Sequence, residues 1–303
     1  MIMQTHKIFL RICLAGLFVP AMQCAHAQQI YKVSRYLDRS FLHNPAAAGA
    51  NNSTVIGAVY RSMWSGIEGG PETVILYGDT YWSKKNTGAG IVLYNDKTGA
   101  ISRAGGELDI SYSIKLDGDA QRLMFGLGGE MMQFKIEKDK LASSITNDPL
   151  LQSAATTTKG DASFGMYYRS EKFNAGISGK QLIGAKLGLI KNVSTDARLY
   201  RQYYLTSSYR IRTDDEDILI PHAEVQLQEN APANFQAGIV LEHRDLLSIG
   251  VGYNYKQSYT LFAGIKIHHK FSIDYAYDAY ITPLSAFEEG SGANEISLRY
   301  SFK

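Results

Sequence analysis

Side chains able to do chemistry are sparse in this sequence, and their spacing is poor. Downstream of residue 27 the histidines are His43, His222, His243, His268 and His269, and no motif gives any of them a partner. His268-His269 could touch a metal, but adjacent strand-end positions send the two rings to opposite faces, so the pair reads as a turn. Asp214-Asp215-Glu216-Asp217 has the charge for calcium yet lacks the spaced oxygens and glycine of a calcium loop, and reads as a solvated turn. Gly126-Leu127-Gly128-Gly129 and Gly176-Ile177-Ser178-Gly179-Lys180 faintly resemble phosphate loops. Neither completes that motif or leads into a helix, so both read as strand glycines that ease packing or curvature. No serine sits in a Gly-x-Ser-x-Gly elbow, and Cys13 and Cys24 are the only cysteines. The expectation is a protein that is not an enzyme, with no cofactor and no metal.

The elements that would carry these residues begin with a leader. Lys7 and Arg11 precede an apolar run from Ile12 to Met22, and Ala25-His26-Ala27 is a small-x-small cleavage site, so residues 1–27 read as a secretory signal and the mature chain as starting at Gln28. Both cysteines fall inside this leader, which removes disulfides and thiolate chemistry from the mature chain. A lipid-attachment reading of Cys24 is disfavoured by Gln23, which stands where a very small residue belongs. Two of the 31 basic residues lie in the leader, and the rest balance the 29 acidic ones, so nucleic acid is not an expected partner.

Residues 28–52 mix charge with Tyr31, Tyr36, Phe41 and Leu42, and Pro45 breaks any helix; this stretch reads as an N-terminal periplasmic or plug segment at the barrel mouth or inside it. From residue 53 to 303 fourteen strands are expected, near 53–61, 72–82, 87–95, 101–116, 121–134, 160–170, 173–181, 198–212, 217–228, 233–242, 246–256, 258–268, 271–280 and 293–302. Most have the ~9–11 residues that a tilted strand needs to cross a bilayer. Alternation is regular in several: Leu108, Ile110, Tyr112 and Ile114 oppose Glu107, Asp109, Ser111 and Ser113, and Ile249, Val251 and Tyr253 oppose Ser248, Gly250 and Asn254. A soluble sandwich has the same period of two. The connections decide against it, because the long ones (62–71, 135–159, 182–197, 281–292) all fall on one side, together with the short 96–100, 229–232 and Gln257, while every connection on the other side is short. The expected fold is therefore all-β, a transmembrane outer-membrane antiparallel β-barrel of about 14 strands.

Three ordered motifs add a resemblance. They are Asn44-Pro45-Ala46-Ala47-Ala48-Gly49, Tyr60-Arg61-Ser62-Met63-Trp64-Ser65-Gly66, and Leu93-Tyr94-Asn95-Asp96-Lys97-Thr98-Gly99, the last read as a strand ending in a turn. Together they resemble the PorP/SprF family of type IX secretion and gliding proteins of Bacteroidetes-type bacteria. The departures are Ala47 for an aromatic residue, Met63 for glutamine and Ser65 for proline. The resemblance implies an outer-membrane component aiding secretion or surface anchoring of adhesin-type cargo, with outer-membrane lipid, other secretion components and secreted adhesins as partners. The competing reading is a passive porin or small-solute transporter. Asn44, Pro45, Gly49, Tyr60, Arg61, Trp64, Gly66, Pro71, Asn95, Asp96 and Gly99 are the expected partner-binding or family-motif residues. Recognition is expected in the long loops and the Asn44–Gly49 segment, outside the lumen.

Overall fold

The computed structural model describes residues 32–64, 69–117, 120–137, 156–188, 198–281 and 292–302. The expected leader lies outside them, as do most of the long loops. In chain order the strands are β1 (Thr54–Met63), β2 (Glu72–Trp82), β3 (Thr87–Thr98), β4 (Ile101–Asp117), β5 (Gln121–Ile136), β6 (Thr157–Arg169), β7 (Phe173–Lys180), β8 (Gln202–Tyr209, resumed at Ile211–Arg212), β9 (Asp217–Gln228), β10 (Asn234–His243), β11 (Leu247–Asn254), β12 (Ser258–Ile267), β13 (Phe271–Tyr280) and β14 (Gly292–Phe302). Each pairs antiparallel with its chain neighbour, and β14 pairs with β1 from Thr54↔Phe302 to Met63↔Ala293. The result is a closed 14-stranded barrel with no free edge.

Its two faces are those of a protein that exchanges water for lipid on the outside. On β4, Leu108 is 65% exposed while Asp109 next to it is 4% exposed. Apolar side chains point outward all around the wall, including Ile249, Val251, Leu261, Ile296 and Leu298, and the polar ones point into the lumen. We expect Val251→Arg, on the lipid face, to destabilise the barrel by about 2–4 kcal/mol, and Ser248→Ala, on the lumen face of the same strand, to do much less. Urea titration in detergent or lipid compares them; equal losses would contradict this assignment of faces. Asn254 is not a neutral control, because it is 1% exposed and donates to Gln257 Oε1 at 3.1 Å.

Several boundaries differ from expectation, three of them instructively. Asn95–Thr98 belongs to β3, held extended by β2 and β4 on either side, and the turn shrinks to Gly99-Ala100, where Gly99 takes φ +56°. β8 starts at Gln202 instead of residue 198, and Arg198 forms only an isolated bridge with Lys186. β11 stops at Asn254 because the chain turns through Lys256, at φ +57°.

The lumen is occupied. From Lys32, beside Gln257 at the long-loop mouth, the chain descends inside the barrel to Ala50, beside Arg122 near the short-turn mouth. It forms two short 3₁₀ turns, Leu37–Leu42 and Pro45–Ala47. Val33, Tyr36, Phe41, Leu42 and Ala46–Ala48 pack against Val55, Val59, Ile75, Val92, Met124 and Met132, which are the inward apolar residues of β1–β3 and β5. The apolar core therefore lies between segment and wall.

Candidate functional site

A backbone buried outside any sheet must find its hydrogen bonds elsewhere, and here the wall side chains supply them. Leu42 O accepts from Lys180 Nζ at 2.9 Å, His43 O from Ser178 Oγ at 2.6 Å, Ala48 O from Ser111 Oγ at 2.7 Å and Ala50 O from Arg122 Nη2 at 2.7 Å. Gly49 N donates to Asp79 Oδ2 at 2.9 Å, and Ser34 N to Glu295 Oε2 at 2.6 Å. At the centre, Asn44 begins the second 3₁₀ turn. Its Oδ1 accepts from Ala46 N at 2.9 Å, its Nδ2 donates to Met166 O and Ile177 O at 3.0 and 3.3 Å, and Pro45 supplies a preset φ at the first helical position.

This turn lies in a cradle of wall glycines. A Cβ added at Gly88 would overlap Ala48 O, at Gly126 the Pro45 and Ala46 backbone, and at Gly165 or Gly176 the Asn44 side chain. Gly126, from the glycine-rich stretch of β5, thus gives the segment room to approach the wall. Asn44, Pro45 and Gly49, expected to face a partner, are buried in the lumen instead. Their role in the fold is to turn and seat the segment.

Arg61 requires the same correction. It is 1% exposed, and its Nη2 donates to Asp278 Oδ2 at 2.6 Å while Nη1 reaches Glu295 Oε2 at 3.4 Å and Ser34 Oγ. Arg39 reaches Glu295 Oε1 at 3.2 Å, and Arg35 pairs with Asp274. Three arginines and three carboxylates thus join the segment, β1, β13 and β14 in one buried knot. Two further ties hold the opposite wall: His43 Nδ1 is 2.8 Å from Glu224 Oε2, and Lys180 Nζ is 2.6 Å from Glu107 Oε2. None of these pairings has a local sequence signal. The available hint was an excess of basic over acidic residues in 28–52, Lys32, Arg35 and Arg39 against Asp38, matched by acids on inward strand positions.

The remaining motif residues gather at the long-loop mouth. Trp64 is half-buried, takes φ +55° and donates its N–H to Gly292 O at 3.0 Å. Met63 N donates to Pro71 O and Gly99 N to Gly69 O, both at 2.9 Å, so the β1–β2 loop and the β3–β4 turn are tied together. Asp96 accepts from Thr73 Oγ1 at 2.6 Å and Arg103 Nη2 at 3.2 Å, whereas Asn95 and Tyr60 face outward, with Tyr60 Oη 3.3 Å from Glu72 Oε1. Gly66 lies outside the described residues, as does most of the expected recognition surface at 138–155, 189–197 and 282–291.

The histidine pair and the acidic run considered for metal lie in turns. His268 and His269 form the β12–β13 turn at φ +51° and +56°, and His269 Nδ1 is 2.8 Å from Asp245 Oδ2. Desolvation would raise the Asp245 carboxyl, but hydrogen bonds from Lys266 and His269 outweigh it and hold the group below its ordinary value. Asp214 Oδ1 accepts from Glu216 N and Asp217 N at 2.8 and 2.7 Å, forming an Asx turn. Among the described residues no three His, Cys, Asp or Glu side chains are grouped to hold a metal ion.

The family described as type IX secretion system membrane protein PorP/SprF matches residues 25–300. No curated protein matches the sequence. Among solved structures, the CymD monoaromatic hydrocarbon channel superposes with a TM-score of 0.53 at 10% identity, over 87% of this chain and 92% of that one. Omp33, an outer-membrane protein of Acinetobacter baumannii, gives 0.49 at 6% identity, over 83% and 98%. The KdgM porin gives 0.40 at 10%, over 82% and 99%. At these identities the likeness concerns the fold alone.

Proposed function

The chain belongs to the PorP/SprF family of type IX secretion system membrane proteins, and from that premise we propose that it is a docking accessory which aids export or surface retention of adhesin-type cargo. It is a multi-strand barrel of the bacterial outer membrane. Its partners in this reading are the lipid around the apolar band, other secretion components and the secreted adhesin, met at the long-loop mouth. Trp64 and its loop belong to that surface, since Trp is a common interface anchor and function collects on loops carried by rigid scaffolds.

The observation that carries the proposal is the filled lumen. Residues 33–50 are bonded to the wall from one mouth toward the other, so polypeptide cargo has no route through the barrel and must be handled at its mouths. The same observation counts against a passive porin. No catalytic role is proposed. Purified protein in planar bilayers should show no steady conductance, and Trp64→Ala should leave a heat-modifiable barrel in the outer membrane while surface display of the dependent adhesin is lost. Porin-size conductance together with normal display in the variant would return the porin reading to first place.

A further inference from the structure

Near the short-turn mouth three strands present cations side by side. In the ladder registers Lys115 of β4 stands opposite Arg122 of β5, and Arg122 stands opposite Arg169 of β6. Like charges directly opposite one another across a ladder are destabilising. Among the described residues Arg169 has Arg122 and Arg210 as cationic neighbours, against Glu171 of the adjoining turn, and Arg210 is already engaged with Glu242 at 2.6 Å. Arg122 is fully buried. Its guanidinium lies 4.4 Å over the Tyr81 ring, and its Nε and Nη1 meet no acceptor among the described residues.

A cavity of about 80 Å³ opens beside this row, walled by Arg169, Arg210, Ser40, Asn51, Ser208 and Asp79 among others. Asp79 is the acid of that wall among the described residues, and its Oδ2 is taken by Gly49 N. Through Asn51 and Arg210 the cavity adjoins a second space of about 220 Å³ at the mouth, where Lys266, Lys270 and Arg299 face Glu242 and Asp245. An anion arriving from this side, periplasmic in bacterial barrels, meets more cations than acids in the described lining of both spaces.

We propose that this vestibule binds an oxyanion, seated between Arg169 and Arg210 with the Arg122 charge behind it. Guanidinium groups present paired donors that match the oxygens of carboxylate and phosphate. Such a group can come from free phosphate or from the carboxylate of a polypeptide; both share the chemistry the site recognises. The inference does not rest on the secretion role.

The test is thermal unfolding of the purified full chain in detergent, titrated separately with inorganic phosphate and with succinate at constant ionic strength. The expected result is a saturable rise in Tm with at least one of them. A rise with phosphate alone identifies free phosphate as the source, and a rise with succinate identifies a carboxylate. Arg169→Gln should lose the rise while unfolding no earlier than wild type without anion, because the like-charge contact is relieved. Arg210→Gln should weaken the rise several-fold and carries the test if the first variant does not fold. No shift with either anion, or an undiminished shift in both variants, would overturn the proposal.

Discussion

Arg61→Ala should destabilise the folded barrel by about 3–5 kcal/mol, the cost of removing one partner from a buried ion pair and leaving the other charge uncompensated. Asp278 would be left in this state: it and Glu295 are each 1% exposed and both face the Arg61 guanidinium, but Glu295 keeps Arg39 at 3.2 Å. Thr260, Ser34 and Arg39 still reach them, so the loss is bounded, but none replaces the 2.6 Å bond to Asp278 Oδ2. The knot also sits where β14 closes on β1, so its loss should loosen the seam and the entry of the segment together. The control is Arg244→Ala at the β10–β11 turn, where Arg244 meets Glu216 at 2.6 Å with both side chains about half exposed. An ion pair this exposed contributes little, because water and salt screen it. Urea midpoints and the temperature of heat modification should therefore fall sharply for Arg61→Ala and barely for Arg244→Ala; similar small shifts in both would show that the knot is not a stabilising unit.

The strands were legible because a membrane wall imposes one rule on every one of them, alternation at period two over a length set by the bilayer. Leu108, Ile110 and Tyr112 against Glu107, Asp109 and Ser111 state that rule outright, and the sorting of long and short connections gives the wall its two ends. The filling of the lumen was not legible in the same way. Period two says which residues point inward and is silent on what they meet there. Arg61 and Asn44 therefore read as surface motif residues, when their partners lie in β13, β14, β6 and β7, far away in sequence. One clue was present: Ile75, Val92, Met124 and Met132 put apolar groups on a face that should have been wet, and all four are buried against the segment. The glycines of β5 were a second clue, read as easing packing or curvature without a view of what packs there.

Gly126→Ala should expel the segment from its seat while leaving the wall closed. The added Cβ would overlap Pro45 C together with Ala46 N and Cα, all backbone, so no side-chain rotation relieves the clash. Neither side can give easily. Gly126 is paired to Ser111 of β4 and Gly165 of β6, and the turn opposite is pinned by Asn44 to Met166 O and Ile177 O and by Ser178 to His43 O. Overpacking of this kind costs about 1–3 kcal/mol, occasionally more, and the cheapest relief is to shift the turn, which also strips the wall of its apolar cover at Met124. Because the outward face and the ladders are untouched, the protein should still insert and remain heat-modifiable, but conductance should appear where wild type has none. Gly129→Ala is the matched control three residues along, on the lipid face, where the new methyl meets nothing within 4 Å. Such a change at a compatible site is neutral or stabilising by about 0.4–1 kcal/mol through the unfolded chain. If Gly126→Ala and Gly129→Ala gave equally closed and equally stable barrels, the segment would not be held by the glycine cradle, and the filled lumen would no longer argue against a pore.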